Sequence, residues 1–428
     1  MSEKKGILVP LILFVVILVY YTLVGIFSQN IPYADDLSLL ASLYDLSNQG
    51  SVSATLSILF SFHNEHRLLL PRLATIGLTA LNGGVIDFRW WVWLGNAFLL
   101  VPLAVFYQVL AGRKISAAYL VPIALLLFQP LHTELVYWGM ASLQNLGVLA
   151  LAVVTLYLAA GPLSFTRLAL VLGLTLLSML TGANGMLLIP AVAFVWLLRR
   201  QYWLVAGWLI IGSLAIGLYW WGFDPAIQSG IGAEQASTLF EKAQTLLGLL
   251  GALVESQRYQ EITMATGLLL VLAFGIPAAR IVQRVWTQSV PSADRGALFM
   301  VALGGFLLMT MAAIAVSRQL DAALFVTRYK IYPLLLLICV YLMMVLTSMT
   351  PARWMLPACV VVGLAINVIG YWRSLPRLEK HQAYMNEQLI NWERYHRVDA
   401  PTPFMRHYYQ QRWTAAHREG LYLPPAIR

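Results

Sequence analysis

The sequence predicts an all-α protein, a polytopic transmembrane helical bundle of about eleven spans. Three observations carry that prediction. Of the 428 residues, 60% are hydrophobic and only 11% are charged, whereas a soluble domain averages roughly 45–50% apolar and about 25% charged. Apolar runs approaching the ~20 helical residues needed to cross a hydrocarbon core recur along the chain. The basic residues gather in short breaks between those runs, where they act as topology signals. This composition excludes a soluble enzyme, a coiled coil, a disordered tail protein and a secreted disulfide scaffold. The net charge of +9 fits topology and lipid-phosphate contacts better than nucleic acid, so membrane lipids are expected partners and nucleic acid is not.

The first apolar run, 7–27, follows Lys4-Lys5 and lacks a small-residue cleavage site, so it reads as an uncleaved first span. The others are 90–110, 115–131, 143–160, 167–181, 186–198, 202–221, 262–279, 297–316, 331–347 and 354–371. Segments 167–181 and 186–198 are short and flank Thr181-Gly182-Ala183-Asn184-Gly185, read as a tight turn at or just inside one membrane face. Cys339 and Cys359 fall within apolar runs and read as packing residues, not a disulfide.

If these spans alternate, Lys4/Lys5, Arg113/Lys114, Arg167, Arg199/Arg200, Arg280/Arg284 and Arg353 share one side, which the cation bias makes cytoplasmic. The N-terminus is then expected to be cytoplasmic and the C-terminus and site outside. Domain organisation follows: 1–371 forms the transmembrane domain, with 28–89 its outer first loop, and 372–428 a short outer C-terminal cap of short helices. Segment 68–82 is apolar, but Arg72 follows Pro71 within it, and a central Arg costs about 2.5–3.5 kcal/mol on insertion scales. It reads as an interface helix, as does 236–254. No repeat or Gly-rich phosphate loop is present, so ATP or a nucleotide sugar is not expected.

Titratable groups concentrate in the outer loops. Asp35 and Asp36 follow span one; either is a helix N-cap or a general base at the interface. His63-Asn64-Glu65-His66-Arg67, with Arg72 beyond, is dense in charge for such an apolar chain. His63, Glu65 and His66 are metal-ligand types, but offsets of one to three converge poorly. Sugar or phosphate binding is therefore preferred; no cofactor is certain, and a divalent metal is the minor alternative. Glu134 and Trp138, near His132, Tyr137, Gln144 and Asn145, suggest a sugar or acceptor wall, since aromatic rings stack on sugar faces; interface anchoring is the plainer account of the aromatics. Arg328-Tyr329-Lys330 opens span ten on the outside, against the cation bias. A snorkelling anchor is one reading; a phosphate grip by Arg328, supported by Lys330, is the preferred one.

Together these features resemble the GT-C class of integral-membrane, polyprenyl-phosphate-sugar-dependent glycosyltransferases. The resemblance rests on Asp35-Asp36 directly after span one, interface helices in that loop, and about eleven spans. It is closer to a bacterial branch of that class through His63-Asn64-Glu65-His66-Arg67 with Pro71-Arg72-Leu73, Ala183-Asn184-Gly185, and Arg328-Tyr329 before a Leu-rich span. The resemblance implies a location in a bacterial inner membrane, a polyprenyl-phosphate-linked sugar donor and a glycan or lipid acceptor. It also implies a catalytic carboxylate at Asp35 or Asp36, the donor phosphate near Arg328, Tyr329, Lys330, Arg67 or Arg72, and inversion at the anomeric carbon. A transporter or lipid flippase, a polymerase or ligase using a lipid-pyrophosphate donor, and a non-catalytic scaffold remain alternatives.

Overall fold

The computed structural model describes residues 2–224, 238–254, 259–287, 295–347, 354–398 and 403–425. Arg353, Pro401 and most of the expected outer loop before Thr238 lie outside them. Among the described residues every regular element is helical, apart from two isolated β-bridges, His63 with His66 and Ile86 with Tyr422.

Eight helices are long and apolar enough to cross a membrane: Ile7–Phe27, Phe88–Gly112, Gly139–Ala160, Tyr202–Trp220, Gln260–Thr287, Arg295–Ser317, Thr327–Thr347 and Met355–Tyr395. The chain is a multi-pass membrane protein. The other three expected spans are helical but shorter, at Ala117–His132, Phe165–Thr181 and Ala183–Leu198. The first is divided into 3-10 turns at Ala117–Leu120 and Pro130–His132 around a short α-helix, Val121–Leu127, which is buried throughout. Pro122 and Pro130 punctuate it, because proline cannot donate the backbone hydrogen bond that continues a helix. Where a tight turn was expected, Gly182 is extended and Ala183–Leu187 forms a 3-10 turn, so Phe165–Thr181 passes into Leu188–Leu198 through a helical break.

The middle of the bundle is built from Gly139–Ala160, Arg295–Ser317 and Ile331–Thr347, where Leu143, Val153, Phe299, Phe306, Leu335 and Met343 are fully buried. Outside it, Phe14, Leu18, Ile210, Leu214, Val361 and Val368 leave the outer helices apolar on their exposed faces. Such extended apolar surface is rare on soluble monomers and is the surface lipid requires.

Two glycines set the approach of Leu239–Gly251 to Gln260–Thr287. A Cβ on Gly251 would strike the Thr263 carbonyl, and one on Gly267 the Leu247 carbonyl. Small residues at such crossings let backbones pack closely in the absence of a hydrophobic drive between helices. Gly267→Ala is expected to lower stability by about 1–3 kcal/mol, the usual cost of overpacking, read as a lower melting temperature in detergent. Gly275→Ala, on the same helix with nothing near its Cβ position, is the control that changes little.

The segment between the first two spans folds into three helices, Asp36–Ser47, Val52–Phe60 and Leu69–Leu81. Leu69–Leu81, with 13 residues, is about 20 Å long and too short to span. At the other end of the chain, the expected boundary at 372 is absent. Met355–Tyr395 is one helix of 41 residues, about 60 Å long and twice the hydrocarbon thickness, so it carries the last span straight into the tail. The only short tail helix among the described residues is Pro403–Arg418. It lies against Asp36–Ser47, where Tyr408 donates to Asp45 (3.0 Å), Arg412 pairs with Asp45 (2.8 Å), and Tyr44 donates to Glu419 (2.8 Å). The tail therefore covers the helix that carries the acidic pair.

Candidate functional site

The adjacent carboxylates have opposite surroundings. Asp36, at 1% exposure, accepts from the Met140 amide (2.6 Å) and the Tyr33 amide (3.2 Å). Burial pushes its carboxyl up to about 7, against the lowering effect of those backbone bonds. It clamps the first loop to the start of Gly139–Ala160 and has no open face for substrate. Asp35 occupies the N-cap position but makes no side-chain capping bond, and its side chain stays 34% exposed. Its Oδ1 lies 3.5 Å from His63 Nε2, and His63 Nδ1 is 3.0 Å from Ser38 Oγ. Burial works to raise the Asp35 carboxyl, but the His63 contact and charge, with Arg328 and His66 behind it, outweigh burial and hold it below the usual range. Tyr409, from the tail helix, hydrogen-bonds Ser38 on the same group.

His63 and His66 close a turn through their own backbones (2.7 and 3.0 Å), with Asn64 left-handed at its tip. His66 Nδ1 accepts from the Ala183 amide (3.1 Å), so its proton is carried on Nε2, 3.5 Å from Glu65. Burial lowers the His66 pKa, in keeping with a neutral acceptor ring. The Thr181–Gly185 break is thereby joined to the first loop, and Asn184 reaches Tyr332 on the other side.

Glu134 and Arg328, 194 residues apart in sequence, meet. Glu134 Oε2 accepts from the Arg328 amide (2.9 Å) and pairs with its guanidinium (3.2 Å), while the Glu134 amide donates to Thr327 (3.0 Å). The guanidinium lies over Trp138 (5.1 Å) and Tyr329 (4.9 Å). Glu134, expected to contact substrate, is instead the partner that aims Arg328, and Trp138 is the platform beneath it. Tyr33 joins this wall to the acidic pair, its ring packing on Trp138 (5.3 Å), Tyr137 (5.6 Å) and His381 (4.8 Å).

Three cations expected to grip phosphate do other work. Arg67 donates to the carbonyls of Tyr219 (2.9 Å), Trp221 (2.9 Å) and Phe60, capping the C-terminal end of Tyr202–Trp220, whose last carbonyls have no helical partner. Arg72 is buried at 3% exposure and donates to Leu59 (3.0 Å), Ser61 (2.8 Å) and Arg67 (2.7 Å) carbonyls. Lys330 is buried at 1% exposure, below the surface a phosphate reaches. His132, also buried, bonds Tyr20 (3.0 Å) and belongs to the core. Arg72→Ala would strand three carbonyls at about 1–3 kcal/mol each. It is expected to abolish the monodisperse folded peak in fluorescence-detected size exclusion, with partial recovery in Arg72→Lys.

Sequence reading missed Tyr33, Ser38, Tyr409, His381 and Arg318, the last close enough for its charge to act on His66. Each reaches the site through tertiary packing; only the position of Tyr33, two residues before Asp35, was a signal. Among the described residues, no group of three His, Cys, Asp or Glu side chains is placed to hold a metal ion. An apolar crevice of about 250 Å³ opens behind the His63–His66 turn, lined by Phe60, Leu176, Met179, Leu180, Ala215 and Leu218 beside Arg67. Comparison with protein-family models, curated proteins and solved structures finds no match to this chain.

Proposed function

We propose that the protein is a membrane glycosyltransferase that moves a sugar from a polyprenyl-phosphate donor to an acceptor hydroxyl at the outer face. The observation that supports this is an accessible carboxylate, Asp35, held below its ordinary range by His63 and, in part, by the charge of Arg328, a guanidinium from a distant span that is itself paired with Glu134. In the proposed reaction the acceptor hydroxyl gives its proton to Asp35 as its oxygen attacks the anomeric carbon. The bond from that carbon to the phosphate oxygen breaks, and the lipid phosphate leaves with the electron pair. Arg328 stabilises the charge developing on it, and direct displacement inverts the anomeric centre. The apolar crevice beside Arg67 suits the first isoprene units of the lipid.

Arg328 shares its charge with Glu134, and Arg67, Arg72 and Lys330 are engaged within the protein, so the site suits a donor with one phosphate better than a lipid pyrophosphate, which needs more cations. The break at Gly182 is the feature a transporter reading would use, since discontinuous helices line transport sites. Mass spectrometry of lipids co-purified with the protein, followed by transfer assays in proteoliposomes with the donor so identified, tests the proposal. A covalent glycosylated product is the expected result. Movement of labelled lipid across the bilayer without any such product would replace the reading with transport.

A further inference from the structure

A second, larger cavity stands apart from the carboxylate pair. It has a volume of about 750 Å³, within the ~300–1,000 Å³ of sites that enclose a small-molecule ligand. The end of the first span, segment 82–89 and the long last helix form its walls. Ile31, Ile86 and Leu389, all buried, contribute apolar surface, whereas Gln29, Asn82, Gln382 and Asn386 supply carboxamides. Gln382 and Asn386 are one helical turn apart on the last helix and so share a face.

Each of these amides spends one end on the protein and keeps the other. Gln29 Nε2 donates to Asn386 Oδ1 (3.0 Å), Asn82 Nδ2 to the Val85 carbonyl (2.9 Å), and Gln382 Nε2 to the Ile26 carbonyl (3.4 Å). Gln29, Asn82 and Gln382 retain a carbonyl acceptor, and Asn386 retains its amide donor. The only charged pair in the lining, Asp87 with Arg89, is internally neutralised, the Arg89 Nε lying 2.9 and 3.1 Å from the two Asp87 oxygens. The wall has donors, acceptors and apolar surface but no net charge. That suits a pyranose, whose C–H face lies on apolar surface while its hydroxyls both donate and accept, and it offers no surplus cation to a phosphate.

Two lining residues adjoin, in sequence, the rings that flank the acidic pair. Ile31 on its wall is two residues before Tyr33, and Gln382 follows His381, whose ring meets Tyr33 at 4.8 Å and stacks on Tyr137. We infer that this cleft docks a neutral glycan, the acceptor chain whose terminal hydroxyl passes over the Tyr33–Tyr137–His381 rings to Asp35. Delivery to Asp35 rests on the transfer reading above; glycan binding in the cleft does not.

The test uses the full-length protein in detergent on an array of neutral and acidic oligosaccharides. Neutral glycans are expected to be retained, and Gln29→Ala with Asn386→Ala to weaken that retention about tenfold or more through two lost hydrogen bonds. Asn386→Trp, which fills the cleft, is a second route to the same loss. Neither variant touches Asp35 or Arg328, so release of sugar from the donor to water is expected to continue at the wild-type rate with an unchanged melting temperature. Neutral-glycan binding that both variants lose, in a protein that transfers no sugar, upholds the cleft and removes the transfer reading. Transfer by the wild-type protein with an acceptor KM unchanged in both variants overturns the cleft and leaves the transfer reading standing. Retention of acidic glycans alone also overturns it.

Discussion

Asp35→Asn is expected to lower sugar transfer by about 10²–10⁴-fold, the usual contribution of a positioned general base, with little change in melting temperature. The side chain is a third exposed and makes no capping bond, so an isosteric amide removes the proton acceptor and the charge facing His63 while leaving one oxygen for the His63 contact. Asp36→Asn should do the reverse. The second Asp36 oxygen accepts the Tyr33 amide (3.2 Å) while the first accepts Met140 (2.6 Å), and an Asn side chain offers only one of those acceptors. Its loss should therefore appear first as instability of the first loop. His63 supplies a pH test of the same assignment. Burial raises the Asp35 carboxyl, and the His63 contact is foremost among the opposing effects that hold it low. Transfer by the wild-type protein is therefore expected to persist down to pH values below the ordinary carboxylate range. In His63→Ala burial is less opposed, and the acid limb of the profile should move to higher pH. An acid limb that stays in place, or full transfer in Asp35→Asn, would show that the proton goes elsewhere.

The spans were legible because runs near 20 apolar residues have few other uses, and eight of them form helices of spanning length. Segment 115–131 is helical but divided into pieces shorter than a span around Pro122 and Pro130, a division that hydropathy does not register. The acidic pair was legible as a pair, but its division of labour was not. That division depends on an amide 104 residues away, at Met140. The same holds for Arg67 and Arg72. Charge density marked the segment as unusual, yet Arg67 takes carbonyls more than 150 residues distant, at Tyr219 and Trp221, and no local pattern encodes that. Glu134 looked unpaired because its cation lies on another span. Local chemistry in the sequence marked the unusual residues; which of them touch solvent and which brace the fold was decided by packing.

Arg328→Ala is expected to combine two losses that a second substitution can separate. Without the guanidinium, the charge developing on the leaving phosphate goes unstabilised, a loss of about 10²–10³-fold in turnover by analogy with other electrostatic donors. Glu134, only 17% exposed, is also left without its partner. Breaking a fully buried pair costs about 3–5 kcal/mol, and the residual exposure of both groups reduces this to roughly 2–3 kcal/mol. Arg328→Lys should restore part of the stability but little of the turnover, because an ammonium cannot reproduce the planar fork stacked between Trp138 and Tyr329. Adding Glu134→Gln to Arg328→Ala removes the stranded carboxylate, so melting temperature should recover most of the way while transfer stays low. Turnover that returned together with stability in this double variant would mean that Arg328 acts only as a brace, and that another group, with Arg318 the first to examine, holds the phosphate.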